Sequence, residues 1–404
     1  MKSKENMLSI FFAIVINNLG DVLFDLFIVW KVTENSQDVL NAVYLMGSSI
    51  LFRAILAIFI GTLVDRCNKK IMIISANISS ALIITSFAFL YEYILDNLWI
   101  GIVFILLNDI NNEIFGRSYL LLASELFDKE TFIKFQAKYT VVNRVVTTIG
   151  SVLVGFLMSV LTDSMIFTID IITFLVSALC IWPIKNTVKN NYNKEVDVSV
   201  IRNIGTDLKC MFEEMLHSQF IIKFVLIMFI LNLAYGYIPY VLPLKLASEV
   251  SSPSLLGGMK SAISIGEIIG LLLVNYKGQR VSMLFKISML GNACCMISLL
   301  FVSNAYILIL IFLLYGFLDS ITQPLFSYTV TIIDEKNRGK IIGGIDTIIL
   351  ISPSIGMYFI SRIMNVNESV GYLCLTGIFL GTFLIVKYSK ELNQIEVEKQ
   401  REGC

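Results

Sequence analysis

Histidine is almost missing from this chain: His217 is the single copy in 404 residues. With one imidazole there is no H-E-x-x-H helix and no paired-histidine centre, and no serine or cysteine has an evident base. The seven cysteines contain no C-x-x-C, so neither a metal site nor a disulfide framework is indicated. No G-x-x-x-x-G-K-[ST] loop is present, which removes ATP as the direct energy source, and no cofactor is implied. Charge is scarce as well. Asp, Glu, Lys and Arg make up 15% of the residues, against about 25% in a soluble domain, which excludes an ordinary globular enzyme. The formal net charge is zero, which gives nucleic acid nothing to bind.

What fills the chain is apolar surface, at 56% of residues. Runs of roughly 20 apolar residues, each long enough to span a bilayer, recur at 7–30, 39–60, 71–93, 98–122, 137–158, 163–184, 219–240, 255–275, 281–302, 305–328, 341–362 and 370–388. The first run is too long for a signal peptide, contains Asp21 and Asp25 and lacks a cleavage site, so it is read as a retained helix. The expectation is an all-α membrane protein with twelve spanning helices. Lys185 to Ser218 is the longest polar stretch, and it divides the chain into 1–184, a linker at 185–218, and 219–404. Within the linker, Val198 to Leu216 has the pattern of a helix lying on the membrane surface.

Orientation follows from basic residues, which concentrate on the cytoplasmic side. With the N-terminus inside, the outer loops hold only Lys31, Lys245 and Arg362, and both termini are cytoplasmic. Helix 5 carries Gly150, Ser151 and Gly155, and helix 11 carries Pro353 and Gly356. Small residues let backbones approach and Pro permits a bend, so Gly150, Gly155, Pro353 and Gly356 are read as sites of helix bending or close packing. Their matched places support a repeat of halves.

Ionisable groups inside spanning helices each need a partner, water or a function. Asn18, Asp21 and Asp25 follow i, i+3, i+7, and Asp109, Glu113 and Arg117 follow i, i+4, i+8, so each set forms one stripe that faces protein or water. Asp21, Asp25, Asp109 and Glu113 are the candidates for proton coupling or for lining a substrate cavity, since two poorly solvated acids one turn apart favour proton uptake. Arg53, Arg117, Arg144 and Asp170 are the candidates for structural charge pairing. Tyr235, Tyr237 and Tyr240 could line a cavity or face lipid, and Trp30, Trp99 and Trp182 fall near helix ends, as in an interfacial belt.

The stretch Gly61-Thr62-Leu63-Val64-Asp65-Arg66-Cys67-Asn68-Lys69-Lys70 puts a charged turn between two spans. It resembles the G-x-L-x-D-R-x-G-R-K loop between helices 2 and 3 of the major facilitator superfamily, with Asn68 standing for the usual Gly. Asn is among the few residues that enter the left-handed conformation Gly would take there. Leu19-Gly20-Asp21, Leu63 to Arg66 and Asn337-Arg338-Gly339-Lys340 further resemble the macrolide-efflux branch of drug exporters. The resemblance implies two six-helix bundles around a midplane cavity with rocking alternating access. It implies a gate braced by Asp65 and held by Gly61, Arg66, Lys69 and Lys70. Two departures stand out: Asn108-Asp109 replaces a buried Arg in helix 4, and Gly150-Ser151 replaces a Gly-Pro pair in helix 5. The function implied is proton-coupled efflux of an amphipathic small molecule by a monomer in the cell membrane. An uptake carrier or uniporter is the alternative, and an intramembrane enzyme the rival from another class.

Overall fold

The computed structural model describes residues 2–184, 219–274, 281–322 and 338–389. Among them the chain is 90% helix with no strand. The helices are α1 (Lys2–Ser36), α2 (Val39–Arg66), α3 (Lys69–Phe89), α4 (Tyr91–Asp96), α5 (Leu98–Leu126), α6 (Lys129–Val160) and α7 (Asp163–Ile181). After the linker come α8 (Gln219–Tyr237), α9 (Leu242–Glu249), α10 (Pro253–Val274), α11 (Val281–Ser298), α12 (Ala305–Ser320), α13 (Arg338–Val366) and α14 (Glu368–Tyr388). Each of the twelve apolar runs coincides with a long helix over most of its described residues, and α4 and α9 are short additions. The chain is a twelve-helix membrane protein. The surface helix expected at Val198 to Leu216 lies outside the described residues.

Polar residues immediately before the apolar runs start the helices. Asp38 accepts from the Leu40 N–H at 2.8 Å, Asn304 from Tyr306 at 3.0 Å and Asn367 from Val370 at 3.2 Å. Each satisfies a donor that the first helical turn leaves unpaired. Asn68 belongs to this set, which corrects the left-handed turn expected of it. Its backbone is extended, at φ −68 and ψ 113, and its side chain accepts from the Ile71 N–H. The turn is also shorter than the charged stretch, because α2 continues through Gly61 to Arg66 and only Cys67 and Asn68 lie between helices.

The chain forms two compact units, one comprising Met1–Val196 with Leu244–Ser261, the other Asp197–Pro243 with Ala262–Cys404. In the first, α1 packs against α6 and α7, α3 against α5 and α7, and α2 against α5. Its core at one end is built from Ile10, Ile14, Phe115, Tyr119, Phe127 and Phe135. At the other end Phe24, Phe27, Phe87, Tyr91, Phe104 and Phe167 form an aromatic cluster, with Phe24 edge-on to Phe87 at 5.5 Å. In the second unit α13 packs against α8 and α14, and α11 against α12 and α14.

At the four small or helix-breaking positions the structure shows close approach. A Cβ on Gly356 of α13 would collide with the Leu233 backbone of α8, and one on Gly236 of α8 with the Pro353 carbonyl. Gly150 of α6 sits 3.3 Å from Leu19 of α1 by the same measure, and Gly155 against Pro253 and Gly257. Both α6 and α13 run unbroken through these positions. The matched glycines therefore bring the fifth span onto the first and the eleventh onto the seventh.

Candidate functional site

The stripes on α1 and α5 meet inside the first unit. Asp21 has Asp25, Arg53 and Asp109 as its charged neighbours, and the Asn112 side chain lies against its carboxyl. Asp25 has Arg53 of α2 and Lys260 of α10. Asp109 faces the Ser49 hydroxyl and Arg53, with Asp25 and Glu113 nearby. Three carboxylates from α1 and α5 thus gather around one guanidinium and one ammonium. Asp109 is buried at 6% exposure, whereas Asp25 and Arg53 are exposed. The cluster therefore has both a buried and an open side.

Amides frame it. Asn18 donates through Nδ2 to Asn143 Oδ1 of α6 at 2.7 Å, and Asn17 donates to Asn77 Oδ1 of α3 at 3.2 Å. These bonds fix α1 rotationally between its neighbours, so that Asp21 and Asp25 turn to α5 and α2.

Glu113 and Arg117 form an ion pair one turn apart, Nε to Oε1 at 2.7 Å. Arg144 on α6 is exposed. Asp170 behaves otherwise than expected. It is fully buried, the Thr173 hydroxyl lies against its carboxyl, and its charged neighbours are the acids Asp21 and Asp25. At Gly20, with no Cβ, α7 approaches α1 closely and places Asp170 and Thr173 against it. Pairing with an arginine is not found for it among the described residues.

Sequence reading missed the clasp at the far end of α1. Lys31 Nζ lies 3.0 Å from Glu34 and 3.1 Å from Asp163 of α7, and the Tyr91 hydroxyl donates to Asp163 Oδ2 at 2.9 Å. No spacing rule joins residues 31, 91 and 163.

In the charged stretch the side chains of Val64, Cys67, Asn68, Lys69 and Lys70 are described. Lys69 donates to the Cys67 carbonyl at 2.9 Å and Lys70 to the Trp182 carbonyl at 2.6 Å, so cations sit at the C-terminal ends of α2 and α7. The side chains of Asp65 and Arg66 lie outside the described set. Trp30, expected at the interface, is buried at 4%, while Trp99 and Trp182 are exposed at 78% and 66%.

In the second unit Tyr235 packs against Tyr315 at 6.5 Å and Phe379 at 6.3 Å, with Asp319 beside the Tyr235 hydroxyl. Tyr237 is buried at 1% and Tyr240 exposed at 43%.

The model of the Major Facilitator Superfamily matches residues 10–357. The crystal structure of a D-xylose-proton symporter is similar over 95% of this chain and 98% of its own, with TM-score 0.66 and 13% identity. That of the human organic anion transporter MFSD10 (TETRAN) gives 0.62 and 13%, over 95% of this chain and 99% of its own. A bacterial homolog of the human lysosomal transporter Spinster, inward-facing and unoccupied, gives 0.62 and 12%, over 95% and 94%. These likenesses are of fold. No curated protein matches the chain.

Proposed function

The chain belongs to the Major Facilitator Superfamily, a family of transporters, and on that premise we propose that it exports an amphipathic small molecule in exchange for protons. Membrane transport by this fold is the established part. The observation that carries the rest is the cluster of Asp21, Asp25 and Asp109 on α1 and α5 around Arg53. An uncompensated carboxylate in a spanning helix is too costly to keep without a use, and a proton is the smallest counter-charge that can come and go. Asp25, the most exposed of the three acids, is where a proton enters, and Asp21 and Asp109 hold the buried charge. Glu113 is committed to Arg117.

We place the protein in the cell membrane with both termini cytoplasmic, working as a monomer by alternating access, its cytoplasmic gate at Asp65 and the turn that follows. The similarity of its motifs to macrolide exporters sets the expected cargo. Export from a drug-hypersensitive host, screened across macrolides, dyes, peptides and siderophores, tests this. Expression should lower accumulation of at least one compound, unchanged in mass, and a protonophore should abolish the difference. Higher accumulation would turn the reading into uptake, and protonophore-insensitive export would remove the proton.

A further inference from the structure

Seven oxygens on α1 and α5 are buried and accept no hydrogen bond among the described residues, and four of them, Asp21 Oδ1, Asn108 Oδ1, Asp109 Oδ2 and Asn112 Oδ1, lie in one stretch of the two helices. They share a neighbourhood. Asn112 lies against the Asp21 carboxyl, Asn108 precedes it by one turn on the same face of α5, and Asp109 faces the Arg53 and Asp25 charges that Asp21 also faces. Asn108 is buried at 2%, so bulk water does not satisfy it.

The chemistry of these atoms is mainly accepting, with the Asn111 amide nitrogen the one unbonded N–H donor beside them on α5. Ionised carboxylate oxygens can only accept, and the Asn112 amide turned to Asp21 leaves its own oxygen as the outward group. A buried acceptor without a donor is unfavourable, so the set calls for a ligand rich in N–H or O–H groups. Charge points the same way. Asp21, Asp25 and Asp109 face Arg53 and Lys260, Asp170 adds a further acid, and Glu113 and Arg117 pair with each other. Acids exceed cations, which disfavours an anion and favours a cation with hydrogens to give.

We propose that the α1–α5 face recognises an organic ammonium, a protonated amine whose charge lies between Asp21 and Asp109 and whose N–H groups reach Asn108 and Asn112. This rests on the transport reading above and names its substrate class. It also explains exchange: a proton and an ammonium neutralise the same carboxylates, so one leaves as the other binds.

The test is equilibrium binding to the purified full chain in detergent at pH 7, using radiolabelled propranolol, a protonated secondary amine, and its uncharged N-acetyl derivative. Propranolol should bind saturably, at least tenfold more tightly than the N-acetyl compound. The Asp21→Asn, Asp109→Asn double variant should lose tenfold or more for propranolol alone. Asn108→Ala and Asn112→Ala keep every charge and guard against misfolding of the double variant; each should weaken propranolol several-fold. Absence of saturable propranolol binding overturns the proposal. Equal affinity for the two compounds, or propranolol affinity unchanged across the acid and amide variants, would do the same and leave the buried oxygens to ordered water. No gradient is present in this assay, so its failure leaves proton coupling standing, and failure of coupling leaves this binding standing.

Discussion

Asp65 shows how a single residue can oppose its own helix. It lies in the last turn of α2, at the end where the helix dipole is negative, so a carboxylate there costs about 0.3–1 kcal/mol. Lys69 and Lys70, by contrast, donate to carbonyls at the ends of α2 and α7, where a cation is favourable. A residue kept against local stability is a candidate for function elsewhere. Asp65→Asn should leave the melting temperature of the purified protein unchanged or slightly raised while lowering turnover several-fold. Normal turnover in that variant would make Asp65 a marker of topology and nothing more. The residue scale is also where sequence reading succeeded and failed most visibly. The stripes of Asp21, Asp25 and Asp109 were legible because helical spacing fixes which residues share a face. Gathering them around Arg53, or turning Asp170 to Gly20, depends on helices far apart in sequence. Asn68 was misjudged because α3 starts at the next residue, which makes it a helix cap before it can be a turn residue.

At the scale of elements, packing in this chain is set by glycines whose missing side chain another backbone occupies. Gly356 lets α13 lie on the Leu233 backbone of α8, and the space is backbone, which cannot rotate away. Gly377 on α14 has nothing within 4 Å of the position a Cβ would take. The two respond oppositely to the same substitution. Gly356→Ala should destabilise by about 1–3 kcal/mol through overpacking, whereas Gly377→Ala should stabilise by roughly 0.5–1 kcal/mol through helix propensity. Thermal melts of the two purified variants beside the parent check this. Equal shifts would mean that α8 and α13 are not held by close approach. All twelve spans were legible because hydropathy over 20 residues is a strong signal. The short helices α4 and α9 were not, being under three turns long.

For the molecule as a whole, the sorting of basic residues predicts a sidedness that chemistry can read. Variants retaining only Cys67, only Cys210 or only Cys404 should react with a membrane-impermeant thiol reagent after the membrane is opened and not before. Reaction of Cys67 in intact cells would invert the orientation. The central claim is that membrane-embedded acids couple transport to protons. Its most direct measurement is uptake into proteoliposomes of a compound that the export screen identifies, with an acidic lumen imposed at zero membrane potential. The parent protein should accumulate the compound above its external concentration and stop when the pH gradient is collapsed. Asp25→Asn should lose that accumulation yet still exchange labelled for unlabelled compound at equilibrium, because the cavity remains while the titratable group is gone. Accumulation that persists in Asp25→Asn and Asp21→Asn alike, with unaltered pH dependence, would contradict the account.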